Sequence, residues 1–313
     1  MQQRKADRIR ASVLAGMARD RIPGFSFTGF FLDTDWPRIG DGSARVTIPA
    51  APQATDTNGH VELTALLMTL DAALATPVRM FIQPGERIAT THLHAQFTGA
   101  TLDGDLQIDA LFEGATQGDA AGQLLARGSA QAGGVPVCHG SASFMRLPPP
   151  PGGRVLAPLP WQDGNRAPPA SLTTADLDAR ERSILAACEA ALADHAHAPP
   201  SFLRRFWGLL PQADGDGAVC RVATGPHMAN RVGHVQGGIL LGLAAHTAMQ
   251  AVPRHAILAN LSAWFLSPGK GASLECRSTP IHTGRSFAVV KSEIIGSGGV
   301  RVMEAVTAHA APA

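Results

Sequence analysis

The chain has 313 residues, a length that suggests about two domains, with 45% hydrophobic and 16% charged residues and a formal net charge of +1. That apolar share suffices for ordinary buried cores, and the near-neutral charge leaves no electrostatic footprint for nucleic acid or an anionic membrane. Cys138, Cys188, Cys220 and Cys276 are far apart in sequence, with no Cys-x-x-Cys pair, which argues against a disulfide framework or a zinc site and for a reducing compartment.

No apolar signal-peptide core follows the polar start Met1 to Arg8, and a leader helix is expected over about 4–19. A Phe-rich stretch from Pro23 to Phe31 and a short strand from Ala44 to Ile48 come next. Gly59-His60-Val61 then opens an apolar helix over about 60–75, which ends near Pro77. Four extended segments follow at about 88–98, 104–113, 121–132 and 135–146, separated by Gly, Asp and Ser turn signals. A Pro-rich stretch, 148–170, cannot hold helix or sheet and reads as a semi-rigid linker.

Beyond the linker the same order returns. A helix is expected over 174–195, with Thr173 or Thr174 as its N-cap, then the aromatic stretch Pro199 to Trp207 and a strand from Ala218 to Ala223. Gly233-His234-Val235 opens a second apolar helix over about 235–251, which ends near Pro253. Extended segments follow at 256–266, 272–281, 284–296 and 299–309. The run Ile239 to Val252 is broken by His246 and Gln250 and falls short of the ~20 residues of a membrane helix. A soluble, cytoplasmic protein with no membrane or nucleic-acid partner is therefore expected.

The recurrence is one of sequence as well as order. Gly59-His60-Val61 and Leu66-Leu67 match Gly233-His234-Val235 and Leu240-Leu241 at an offset of 174. Leu93-x-Ala95-x-Phe97 matches Leu261-x-Ala263-x-Phe265 at 168, and Gly133-Gly134-Val135 matches Gly298-Gly299-Val300 at 165. Four collinear blocks with a one-directional drift indicate a duplicated unit, with domains at 1–147 and 171–313. One helix followed by antiparallel strands implies an α+β unit with the sheet wrapped over the helix. Both helices should be buried. Between Leu63 and Val78 the only charged residue is Asp71, and between Val235 and Pro253 the only titratable one is His246.

This pattern resembles two hotdog domains in tandem, paired as a pseudo-dimer within one chain. The stretch Asn230-Arg231-Val232-Gly233-His234-Val235-Gln236-Gly237-Gly238 resembles the Asn…His-Gly-Gly signature of the phenylacetate-pathway type of hotdog acyl-CoA thioesterase, in the 4-hydroxybenzoyl-CoA thioesterase superfamily, with Gln236 in place of His. The stretch Asp56-Thr57-Asn58-Gly59-His60-Val61 is similar to the Asp-x-Asn-x-His-Val pattern of acyl-carrier-protein and related thioesterases, with Glu62-Leu63 for the usual Asn-Asn.

The resemblance implies a thioesterase acting on an acyl-CoA or acyl-carrier-protein ester, with no cofactor. Its catalytic carboxylate falls on Ala245 in the second copy and on Asp71 in the first, and its assisting hydroxyl falls on Thr90. Each half thus retains what the other lacks. One composite site follows, with Asp71 and Thr90 from the first half and Asn230, Gln236, Gly237 and Gly238 from the second, beside one degenerate site. Unpaired N–H groups at the helix start would form an oxyanion hole at Gly237.

Plainer readings stand beside these. Asp71 could pair with Arg79, and Gly237-Gly238 could serve only close packing. Asp56 and Asn58 could form an Asx turn, and His60 and His234 could serve each helix start rather than bind substrate. His92 and His94 alternate on a strand with no ligand-spaced partner, so no metal is expected. His195 and His197 answer a helix dipole. Two other functions remain open: an enoyl-thioester hydratase, which Asp56 to His60 loosely resembles without its Pro, and a non-catalytic acyl-thioester binder. A homo-oligomer of the double unit is compatible with the sequence.

Overall fold

The computed structural model describes residues 2–83, 85–116, 122–149, 157–159, 171–193 and 200–310. The stretches 150–156 and 160–170 of the Pro-rich segment, and His195 and His197, lie outside the described residues.

In the first half, α1 (Gln2–Asp20) and the short α2 (Phe27–Phe30) precede a hairpin of β1 (Asp35–Gly40) and β2 (Ser43–Ile48). The apolar helix α3 (Leu63–Val78) follows, then β3 (Arg87–Phe97), β4 (Leu106–Ala115), β5 (Gln123–Ala132) and β6 (Val135–Leu147). The second half repeats the order with α4 (Ala179–Ala193), α5 (Phe202–Phe206), β7 (Gln212–Asp214), β8 (Gly217–Ala223), α6 (Gly237–Gln250), β9 (Ile257–Phe265), β10 (Ser273–Thr283), β11 (Phe287–Gly296) and β12 (Arg301–Ala310).

All twelve strands form one antiparallel sheet in the order β1-β2-β4-β5-β6-β3-β9-β12-β11-β10-β8-β7. The order is the same read outward from either side of the β3–β9 junction, as a duplicated unit requires. There Leu93 pairs with Ala263 and Ala95 with Leu261, so His94 and Ser262 face each other at the pseudo-twofold axis. His94 Nδ1 lies 2.7 Å from Ser262 Oγ, and the His92 ring packs on Trp264 at 5.1 Å. These two histidines therefore join the halves. Among the described residues no group of three or more metal-ligating side chains is present.

The sheet wraps α3 and α6. By length and apolarity Leu63–Phe81 could cross a membrane, but most of it is buried inside the fold. Pro77 sits in the last turn of α3 rather than beyond it. The two helices touch closely. A Cβ on Gly238 would stand 2.3 Å from Met68 Cα, and one on Gly242 would stand 2.4 Å from Thr64 Cγ2. Positions 64 and 238, and 68 and 242, are equivalent in the repeat, so the glycines of α6 receive the side chains of α3 across the pseudo-twofold axis.

Two expectations are corrected. The helix of the second leader begins at Ala179, not 174. Asp178 and Glu181 cap its start reciprocally, with Glu181 N donating to Asp178 Oδ1 at 2.7 Å and Asp178 N to Glu181 Oε2 at 2.9 Å. Thr173 caps only a 3-10 turn, Thr174–Asp176. The edge strands β1 and β7 were not expected, because both are short and polar and β1 contains Pro37. The turn signal for the first hairpin was nonetheless there: Asp41 and Gly42 both adopt positive φ, 51° and 71°.

Candidate active site

Asp71 lies in the middle of α3, only 8% exposed, and faces the start of α6 from the other half. Thr90, on β3, donates its hydroxyl to Asp71 Oδ1 at 3.0 Å. The Gln236 amide Nε2 donates to Asp71 Oδ2 at 3.3 Å. Gln236 is the N-cap of α6, and its Oε1 accepts from the Ile239 N–H at 3.1 Å. That capping bond takes the carbonyl end of the side chain and so turns the NH₂ end toward Asp71.

Gly237 follows as the first residue of α6. A Cβ there would stand 2.8 Å from Asp71 Oδ2 and 3.4 Å from the ring of Phe265. Any side chain would enter the space beside the carboxylate. The N–H groups of Gly237 and Gly238 have no hydrogen-bond partner among the described residues. They sit at the positive end of the α6 dipole, where an oxyanion would be favoured.

Burial pushes the Asp71 carboxyl up to about 6, against the hydrogen bond from Thr90 and the charge of Arg79, which pull it down. No ion pair between Asp71 and Arg79 forms among the described residues. At neutral pH the carboxylate is ionised, and it is a stronger base than an exposed aspartate.

The remaining candidates are placed elsewhere. Asn230 makes no hydrogen bond to Asp71, Thr90 or Gln236 among the described residues; its Oδ1 accepts from the N–H of Val232 at 3.0 Å and of His234 at 3.1 Å. The equivalent Asp56 does the same for Asn58 at 2.7 Å and His60 at 3.0 Å. Both are Asx-type turns that shape the loop before each helix. His60 Nδ1 lies 3.9 Å from Asp56 Oδ2, beyond hydrogen-bond distance. A Cβ on Gly238 would meet Met68, which fits the close-packing reading of this glycine. His234 lines an open cleft beside the α6 loop, and burial, Lys270 and Arg87 all lower its pKa.

The pseudo-symmetric position holds a constellation that the sequence reading missed. Where Gln236 caps α6, Glu62 caps α3, accepting from Thr64 N at 2.7 Å. Where Asp71 would have its counterpart stands Ala245, and its neighbour His246 fills the space. His246 Nε2 lies 2.9 Å from Glu62 Oε1 and 3.1 Å from Thr64 Oγ1, with Glu62 and His246 both under 10% exposed. Burial pushes the Glu62 carboxyl up, but the charge and hydrogen bond of His246 and the bonds from Thr64 outweigh it and leave the pKa lowered. The available signal was the only titratable side chain of α6 lying one turn-position from Ala245, with a carboxylate at the opposing cap.

Comparison with known proteins bears on the family of the second half and on the fold. Residues 226–311 match the family model described as the acyl-CoA thioesterase N-terminal domain. No curated protein sequence matches the chain. Among solved structures, the chain is similar to a putative oleoyl thioesterase from Lactobacillus plantarum, at 11% identity and TM-score 0.53 over 87% of this chain and 97% of that one. It is also similar to a tesB protein of Mycobacterium avium subs paratuberculosis, at 11% identity and TM-score 0.51 over 89% and 96%. A third is the 12:0-ACP thioesterase of Umbellularia californica, at 9% identity and TM-score 0.53 over 87% and 94%.

Proposed function

We propose that this double-hotdog chain, whose second half carries an acyl-CoA thioesterase domain, hydrolyses acyl thioesters at one composite site between its halves. The observation that carries the reading is the buried Asp71 carboxylate of one half set against the Gln236 amide and the free N–H groups that start α6 of the other.

Thioester hydrolysis needs an activated water or a carboxylate nucleophile, and a donor set for the oxygen that gains charge. Asp71 is the base or nucleophile, and its raised pKa brings it toward the range where proton transfer is efficient. Thr90 and Gln236 hold one carboxylate oxygen each, so the carboxylate is fixed in direction before substrate arrives. The Gly237 N–H is the oxyanion donor, and the absent side chain leaves room for the thioester carbonyl beside Asp71.

The test is a panel of acyl-CoA and acyl-carrier-protein esters of graded chain length, with release of free thiol as the readout. Thiol release from at least one ester is expected. A protein that releases thiol from none, yet consumes the double bond of a crotonyl ester, would be a hydratase instead.

A further inference from the structure

The space beside the Asp71 carboxylate has a second wall. A carbon standing where Gly237 lacks its Cβ would lie 2.8 Å from Asp71 Oδ2 and 3.4 Å from Phe265 Cε1. Reacting atoms meet at about 3–3.5 Å before attack, so a thioester carbonyl carbon seated beside this point is within reach of the carboxylate and in van der Waals contact with the ring. Phe265 ends β9, and the ladder rather than a loop sets its place. It pairs with the buried Met303 of β12, and the following N–H, of Leu266, donates to Val302 O at 2.9 Å. The ring is half-buried and carries no polar atom, so it offers a substrate apolar contact alone.

The repeat supplies a control. Gly237 corresponds to Leu63 in the first half and Phe265 to Phe97, while Asp71 corresponds to Ala245 in the second. The half-site with Ala245 thus keeps a leucine side chain at its helix start. The half-site with Asp71 has lost that side chain and kept the phenylalanine. Helix crossing does not account for the loss. A Cβ on Gly238 would meet the backbone of Met68 at 2.3 Å, whereas the atoms nearest to one on Gly237 belong to the carboxylate and the ring. The glycine therefore keeps open a space bounded by Asp71 on one side and Phe265 on the other.

We infer that Phe265 is a specificity-determining residue, whose ring limits the width of the substrate next to the thioester carbonyl. The inference rests on the thioester-hydrolase reading, which seats the carbonyl carbon beside Asp71. Two neighbours of that carbon offer the same apolar chemistry to the ring: the α-carbon of the acyl group, and the thiol sulfur with its first CH₂. A methyl branch on whichever neighbour faces Phe265 meets the ring, so the site admits unbranched groups there and turns branched ones away.

The experiment uses the full chain, with Phe265→Ala and Phe265→Leu set against wild type and against Phe97→Ala and Phe97→Leu, the same changes at the equivalent position of the other half. Three N-acetylcysteamine thioesters are compared by kcat/KM: a straight-chain acyl ester, its 2-methyl analogue, and the straight acyl group on a thiol with a methyl beside its sulfur. Wild type should disfavour one branched ester by about 10–200-fold, the span of one methyl group in a fitted pocket. Phe265→Ala should recover most of that ratio and Phe265→Leu part of it, while the Phe97 variants keep the wild-type ratio. Recovery with the 2-methyl ester puts the ring on the acyl side, and recovery with the branched thiol puts it on the carrier side. A wild type that takes both branched esters as readily as the straight one overturns the inference. So do ratios unmoved in the Phe265 variants, or moved equally in the Phe97 variants. Should Phe265→Ala fail to fold, Phe265→Leu, which keeps an apolar side chain, decides alone. Should wild type hydrolyse no thioester at all, the hydrolase reading falls, and the wall is read from affinities for ketone analogues with CH₂ in place of sulfur. The same ratios there keep the wall, and equal affinities for straight and branched ketones remove it.

Discussion

Asp71→Asn is expected to lower thioester turnover by about 10³-fold or more, the upper range for removal of a general base, and to leave the fold intact. The amide keeps the shape of the side chain and still accepts from Thr90, so the loss reports the missing base rather than a cavity. Stability should move the other way. Asp71 in the folded chain has its pKa raised to about 6 from an ordinary value near 4. The folded state therefore binds the proton more tightly than the unfolded one. Stability from this group is fully present below about pH 4 and is lost as pH rises through about 6. At pH 7 the ionised carboxylate costs up to about 2–3 kcal/mol, which the neutral amide removes. Melting curves at pH 7 should place the variant above wild type. The wild-type kcat/KM should rise with pH through about 6 and then level, the limb that vanishes when the base is absent. A variant that keeps full turnover would mean that another group takes the proton.

Breaking the Glu62–His246 pair should give the largest loss of stability. His246→Ala leaves a carboxylate with less than a tenth of its surface exposed, held by the neutral Thr64 N–H with the Arg204 charge nearby, and removal of one partner from a buried pair typically costs about 3–5 kcal/mol. Glu62→Gln should cost less, since the amide can still cap α3 and reach His246 without burying a charge. The pH dependence separates the two effects. The pKa of Glu62 is lowered in the folded state, so its contribution is fully present above the unfolded value, near about 4.3, and is lost as pH falls below it. Urea midpoints should therefore drop more steeply in wild type than in Glu62→Gln as pH falls below about 4.3. A His246→Ala protein as stable as wild type would remove the pair from the account of how the halves hold together.

Much of the fold was legible because duplication writes each element twice. The Gly-His-Val starts, the bare apolar helices and the paired strand motifs located every major element to within a few residues. What escaped were the pieces whose identity depends on distant partners. The strands β1 and β7 carry little apolar pattern of their own and exist as strands because β2 and β8 offer an edge. The start of α4 is decided by Asp178 and Glu181, which lie beyond the threonines that look like caps.

The candidate site was legible to the same degree. Asp71 stood out as the one charge in a buried helix, and Gly237 as the start of another. Thr90 meets Asp71 within the first half, from β3 onto α3. Gln236 meets it only because the two halves pack face to face, and that contact has no local signature. Asn230 read as a substrate-facing residue because the motif around it resembles one. Its carbonyl is in fact used up by the turn that sets the loop, as the carboxylate of Asp56 is in the other half. The Glu62–His246 pair was hidden for a related reason: Glu62 looked like a departure from a motif and His246 like a break in an apolar run, and they gain a role only together, across the interface.

The central claim is that Asp71 of one half and Gln236 of the other act as one unit. A double-mutant cycle with Asp71→Asn and Gln236→Leu, read as kcat/KM on the best thioester, tests it most directly. Non-additive losses are predicted, with the double variant little worse than Asp71→Asn alone, because the amide has nothing left to orient. Fully additive losses would show that the two residues act separately and would contradict a composite site.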